Sequence, residues 1–421
     1  MQDLICISHL RWDFVWQRPQ HILSRLAKHY RVFFVEEPMT DTSAAEPQLA
    51  VTKGRGENPV TVIRLMQPAD ENRWIGHGDP QTQDTYEHLL AQLLEQQGSK
   101  ERILWLYTPM AAPFVAALHP DLLVYDVMDE LSAFKGAPAA LREQDRTMLR
   151  TADVVFTGGV SMYRARLPYA NNIHLFPSGV EIAHFARAAK RNMPQPPDLS
   201  NMAGPIIGYF GVIDERMDMA ALEALAASHP EWNIVMLGPV VKIDPTELPQ
   251  AANLHYLGMK DYQELPSYLA YFDVALVPFA INEATRYLSP TKTLEYLAAD
   301  KPVVAAPIAD IVELYGDYVR IAETPQEYVS HTEAALAEIG AETPAERSTR
   351  AARVEKLLQL HTWDYIAGEM QKLIDAAARP DIGTEGQLDP ASDAPPPDLQ
   401  TVGGGLTDYV TPEQQKPVNS A

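Results

Sequence analysis

The run SPTKTLE, residues 289 to 295, places an ammonium and a carboxylate three residues apart. On a helix that spacing sets Lys292 and Glu295 on one face, so both project toward whatever sits at the helix start. Ser289 suits an N-cap and Pro290 a first helical position, which leaves the amides from Thr291 onward free to donate to an anion. A positive charge beside unpaired N–H groups matches a diphosphate, and a carboxylate one turn further matches a ribose diol. Upstream, FGVIDER at 210 to 216 follows an apolar run. Gly211 there admits close backbone approach, and the planar fork of Arg216 can reach phosphate oxygens.

A second concentration of chemistry lies near the start of the chain. SHLRWDFVWQRPQ, residues 8 to 20, sets two tryptophans among His9, Arg11, Asp13, Gln17 and Arg18. Aromatic faces beside planar hydrogen-bonding groups suit a sugar, so Arg11, Trp12, Gln17 and Arg18 are candidate contacts to a sugar substrate. The competing reading makes Trp12 and Trp16 packing anchors. YDVMDE at 125 to 130 also follows an apolar run. Asp126 can accept from a sugar hydroxyl there, and Asp129 can serve as a general base, with His9 as the alternative base.

The elements that must hold these residues alternate from the first positions. LICIS reads as a strand, QHILSRLAKHY as an amphipathic helix and RVFFVEE as the next strand. Residues 40 to 83 are polar, with one strand expected at Val60 to Leu65, and TYEHLLAQLLEQQG is a helix ending at Gly98. RILWLYTP, LLVYDVM, DVVFTGG and NIHLFPSG are further strands, with ALREQDRTMLRTA a helix among them. That alternation is a Rossmann-like α/β layer. A second alternating set begins at PIIGYFG and runs to YVRIAE, followed by a helix in YVSHTEAALAEI. The expected organisation is a first domain over 1–185, a linker over 186–204, a second domain over 205–360 and a helix over 361–379. In open α/β sheets ligands bind beyond the carboxyl ends of the strands, so all the candidate residues should converge on one cleft between two such sheets.

Length and composition agree with two cores: 421 residues, 46% of them hydrophobic. The net charge of -22 argues against a general nucleic-acid binder, which needs a basic face. Cys6, the single cysteine, sits in an apolar run and reads as a buried core thiol of a protein kept in a reducing compartment. The residues show no basic stretch leading into an apolar core and no apolar run long enough to span a membrane, so neither secretion nor a membrane span is expected. From Pro380 to Ala421 the chain is rich in Pro, Gly and Asp without periodicity, the composition of a disordered acidic tail. The chain lacks GxGxxG after a strand, GxxxxGK[ST], HExxH, CxxC, GxSxG and DxD. Absence of DxD points to neutralisation of the diphosphate by a helix start and by Lys and Arg, without a metal.

PTKTLEYLAADKPVV resembles the donor-site segment of GT-B glycosyltransferases of the family 1 and family 4 type. Further landmarks occur in the family's order: LFPSGVEIAHF, IIGYFGVIDERMDM, WNIVMLGPV and NLHYLGMKDYQELPSYLAYFDVALVPF. The opening DLICISHLRWDFVWQRPQHILSRLA is similar to a bacterial subgroup associated with teichuronic-acid and cell-surface polysaccharide synthesis. The resemblance covers roughly residues 1 to 378. It implies a GT-B fold with two Rossmann-like domains, the last helix crossing back to the first. It also implies a nucleoside-diphosphate sugar as donor, a UDP-sugar ahead of a GDP-sugar, and hexosyl transfer to a glycan or lipid-linked acceptor. The expected location is cytoplasmic, with peripheral contact at the inner face of the membrane. One departure stands out: many retaining members carry a second glutamate eight positions before Glu295, where this chain has Tyr287. Retention and inversion at the anomeric carbon both stay open on this pattern. An epimerase of the same architecture and a catalytically weak partner of another glycan enzyme are the alternative readings.

Overall fold

The apolar runs of the chain form buried strands. DLICI is buried at every position, as a strand covered on both faces of a parallel sheet must be. The computed structural model describes residues 1–13, 16–56, 60–69, 77, 79–133 and 140–378. The acidic segment 380–421, read above as a disordered tail, lies outside the described residues.

The first domain carries strands β1 (Asp3–Ile7), β2 (Arg31–Val35), β3 (Met39–Thr40), β4 (Gln48–Lys53), β5 (Thr61–Gln67), β6 (Arg102–Leu106), β7 (Leu122–Val127), β8 (Val154–Thr157) and β9 (Ile173–Leu175). Helices α1 (Arg18–Leu26), α2 (Pro80–Gln96), α3 (Pro113–Leu118), α4 (Leu141–Thr151) and α5 (Val160–Arg166) alternate with them. The strands form one sheet in the order β3-β5-β2-β1-β6-β7-β8-β9, with β4 added antiparallel to β5. Sequence reading placed a single strand between residues 40 and 83. β4 escaped it because its side chains are mostly exposed and carry no burial pattern.

After a short α6 (Ile182–Phe185), the second domain follows with β10 (Ile206–Phe210), α7 (Met219–Ser228), β11 (Asn233–Leu237), β12 (Leu254–Tyr256), α8 (Leu265–Leu269), β13 (Val274–Val277), α9 (Lys292–Ala298), β14 (Val303–Ala305), α10 (Ala309–Tyr315), β15 (Arg320–Ile321) and α11 (Pro325–Ala341). Its sheet is parallel, in the order β12-β11-β10-β13-β14-β15. The order reverses between β10 and β13, the place where doubly wound sheets open a ligand crevice.

Two expectations change in detail. The segment 186–204 is no free spacer: Ala188 and Leu199 are fully buried in the second domain's core with Val180 and Phe185. The helix expected over 361–379 is α13 (Trp363–Ala377), and it follows a separate α12 (Pro344–Gln359); the two are parted where Val180 bridges Thr362 and donates its N–H to the His361 carbonyl at 2.8 Å. α13 then lies on the first domain. Trp363, Ile366, Met370 and Ile374 join that domain's core, Trp363 stacks on His21 at 4.6 Å, and Asp364 pairs with Arg25. The chain therefore crosses between the domains twice at one place.

Candidate active site

The carboxyl end of β10 leads into Gly211, whose φ of 140° is a region that side chains rarely adopt. Its N–H donates to the Leu237 carbonyl at 2.8 Å, which fixes the turn. A Cβ at this position would stand 2.1 Å from Lys292 Cε and 2.8 Å from Lys292 Nζ. The missing side chain is thus what lets Lys292 lie over the strand end, with its ammonium 5.9 Å from the centre of the Tyr209 ring.

Lys292 comes from α9, which is anchored from below. Thr293, Leu294, Tyr296 and Leu297 are buried, and the Tyr296 hydroxyl accepts from the Phe210 N–H at 3.1 Å. The opposite face carries Lys292 and Glu295, recessed in the cleft yet still partly open to solvent. The helix begins two residues later than the sequence suggested: Thr291 is its N-cap, and Ser289 and Pro290 belong to the preceding loop. Thr291 offers only its carbonyl, to the N–H groups of Leu294 and Glu295. Burial pushes the Glu295 carboxyl up to about 7, with Glu181 reinforcing the shift and the Lys292 ammonium opposing it. The same burial lowers Lys292 from its ordinary value against the pull of Glu295.

Arg216 is held for duty by Asp214. The guanidinium meets that carboxylate through Nε at 2.9 Å and a terminal nitrogen at 2.7 Å, while lying 5.9 Å from the Phe279 ring centre. Its charge reaches across the cleft: together with Arg18 it opposes the burial that raises Asp129, at the end of β7 in the first domain. Burial thus leaves Asp129 a carboxylate of enhanced basicity. His9, beyond the end of β1, is driven down to about 4 by burial, and its Nδ1 is buried without a partner. A histidine that sheds its proton so readily is a weak base, so Asp129 fits the role better.

Three of the other residues expected to touch the acceptor, Trp12, Arg18 and Asp126, are turned inward. Arg18 grips Asp126 through Nε at 3.1 Å and a terminal nitrogen at 2.9 Å, and donates to the Phe176 carbonyl at 2.7 Å. Both side chains are sealed from solvent. Trp12 is buried, its indole N–H donating to the Arg55 carbonyl and its backbone N–H to Glu36. Arg11 spends its guanidinium on the Glu37 and Pro38 carbonyls and on Glu36. Gln17 precedes α1 and donates its N–H to the Gln20 side chain. This corrects the expectation for Trp12, Arg18 and Asp126, which are buried on partners of their own domain; Arg11 and Gln17 are only half-buried. Polar groups withdrawn from water must find partners, and these found them within the first domain. Among the described residues no cluster of three or more His, Cys, Asp or Glu is arranged to hold a metal ion.

Residues 217–372 match a family model described as glycosyl transferase-like. A Bacillus subtilis (strain 168) protein described as a teichuronic acid biosynthesis glycosyltransferase, TuaH, is 24% identical over 294 residues, covering 64% of this chain and 74% of that one. Among solved structures, an E. coli trehalose-6-phosphate protein bound with UDP-2-fluoro glucose aligns with a TM-score of 0.64 at 16% identity, over 88% of this chain and 99% of that chain. A sucrose-phosphate synthase from Thermosynechococcus elongatus aligns with the same score and identity, over 89% of this chain and 99% of that chain. The chain is a GT-B glycosyltransferase.

Several residues of this glycosyltransferase that sit beside the candidate site carry no sequence signal of their own. Glu181, on the crossing segment, acts on Glu295 and accepts from the Tyr262 hydroxyl at 2.7 Å. Tyr262 is in turn stacked on His184 at 4.2 Å. Tyr287, standing where the family's other glutamate is usual, packs against the first domain's apolar core. No helix of the described enzyme is long and apolar enough to cross a membrane.

Proposed function

We propose that the enzyme moves a hexosyl group from a nucleoside-diphosphate sugar, a UDP-sugar first, to a hydroxyl of a cell-surface glycan or its lipid-linked precursor, without a metal. The observation that carries this reading is the Lys292–Glu295 pair on one recessed helix face, with Gly211 clearing the space beside it. Lys292 and Arg216 neutralise the diphosphate, the Ser289–Thr291 loop lies alongside it, and Glu295 accepts from the ribose hydroxyls. The acceptor hydroxyl attacks the anomeric carbon as the bond to the diphosphate oxygen breaks. Its proton passes to Asp129 or to the departing diphosphate, whose new charge the two cations stabilise. The Bacillus subtilis relative's described role in teichuronic acid synthesis supports an envelope acceptor, and the UDP-sugar in the E. coli structure supports the donor class. A cytoplasmic enzyme meeting its acceptor at the inner membrane face fits this chemistry.

Calorimetric titration with UDP and GDP, comparing wild type with Glu295→Ala, tests the reading. One nucleotide series should bind saturably, and the variant should lose it; binding of neither by wild type would sink the donor assignment. The pH dependence follows from the position of Glu295. Ionised, it accepts from both ribose hydroxyls, so affinity should rise severalfold between about pH 6 and about pH 8, whereas Glu295→Gln should bind weakly and respond little. The fold favours the protonated carboxyl, so its contribution to stability is present at acid pH and lost as pH climbs from the ordinary glutamate range through about 7. Glu295→Gln should therefore melt above wild type at about pH 8, by a few degrees, and the gap should close near pH 5. A constant gap in thermal scans would contradict the assignment.

A further inference from the structure

We infer that Asp310 is a positioning residue for the transfer: from the second domain it caps a helix of the first and holds the cleft in the arrangement seen here. The N–H groups of a helix's first turn have no acceptor within the helix. In α5 those of Val160 and Ser161 donate instead to the two oxygens of Asp310, at 2.9 and 3.0 Å, across the domain boundary. Asp310 is 1% exposed, so the contact is sealed. Gly159 makes the approach possible, since a Cβ there would stand 2.2 Å from an Asp310 oxygen and 3.0 Å from Ser289 Cβ. One turn along both helices, Arg164 meets Glu313 through two contacts of 2.6 and 2.7 Å. Tyr287 reaches the first domain's core as well. Three features of one face thus meet the other domain, and Tyr287 and Ser289, which lies close to Gly159, stand at the start of the donor loop.

The chain also crosses between the domains at Val180 and Thr362, a place about which they can swing. Opening returns Asp310 and the α5 amides to water, so each state satisfies its polar groups and the contact biases a two-state equilibrium rather than locking it. Closure sets Ser289 and the α9 start against the first domain, where Asp129 waits. Asp310 acts on the reaction through this placement and touches no reacting atom. The functional half of the inference rests on the donor reading above; the structural half stands without it.

Amide hydrogen exchange on the full chain tests the contact directly, because Asp310 is the acceptor for the Val160 and Ser161 amides. In Asp310→Ala those two should exchange at least about tenfold faster while the Tyr163 amide, bonded to the Gly159 carbonyl, stays protected. UDP affinity should fall about tenfold, with partial recovery in Asp310→Asn, which keeps one acceptor oxygen. Gly159→Ala, which drives the carboxylate off, should match Asp310→Ala. The double variant should lose about tenfold in affinity, as one contact removed twice, rather than about a hundredfold. Unchanged exchange at Val160 and Ser161 in either folded variant, or additive losses in the pair, would overturn the inference. If wild type binds no UDP, the donor reading fails by itself and the exchange measurement still decides the contact.

Discussion

Gly211→Ala is expected to weaken nucleotide binding about a hundredfold in a protein that still folds. Two costs combine at this position. A φ of 140° is unfavourable for any residue with a Cβ, by about 1–2 kcal/mol on the scale of the left-handed region. The added methyl also falls 2.1 Å from Lys292 Cε, and relief of such overlap costs about 1–3 kcal/mol. Strand β10 cannot yield, because Gly211 is pinned to Leu237 and a Cβ on Gly238 would already meet the Gly211 carbonyl. The group free to move is the end of the Lys292 side chain, which makes no hydrogen bond or ion pair among the described residues and would swing out of the cleft. Calorimetry with UDP reads the loss, and Lys292→Met should reproduce most of it. Adding Gly211→Ala to Lys292→Met should then change affinity little. Full affinity in Gly211→Ala would mean that Lys292 does not meet the diphosphate.

The largest effect on stability is expected from Arg18→Met, at about 3–5 kcal/mol, because it strands the Asp126 carboxylate in a sealed interior. It also frees the Phe176 carbonyl that Arg18 had satisfied. Chemical denaturation measures this directly. The pair, however, is not intrinsically stabilising: Arg18→Met combined with Asp126→Leu should recover most of the loss, since an apolar pair of similar volume carries no unpaired charge. If the double variant were as unstable as the single, the guanidinium would be holding more than its partner. The position matters for the reaction because Asp126 lies three residues before Asp129 at the end of β7, so a slackened pair should also lower turnover in variants that remain folded.

The alternation of strands and helices was legible because it is written locally, whereas the order of strands within each sheet was not. Buried strands read as apolar runs, and Lys292 and Glu295 declare themselves by spacing alone. The loop at residues 8 to 20 misled for a physical reason: Arg11, Trp12 and Arg18 look the same in sequence whether they meet a sugar or Glu36 and Asp126, which lie tens of residues away. A capping residue supplied from another domain, as Asp310 supplies α5, has no local signature either. Glu181 and Tyr262 acquire meaning only when the crossing segment brings one to Glu295 and the other to Glu181. The shift of the helix start from Ser289 to Thr291 is smaller, and reflects a loop that reaches the first domain before the helix can begin.

The return of α13 to the first domain bears on how the protein is made. Trp363, Ile366, Met370 and Ile374 cover α1, with its apolar Ile22 and Leu26, which leaves the ribosome more than three hundred residues earlier. Until α13 has been made, the first sheet must wait with that surface uncovered, while the second domain already has all of its own strands and can fold. A stalled or prematurely terminated chain would expose the patch to aggregation or to chaperones, so the order of synthesis and the order of completion are reversed for the two halves.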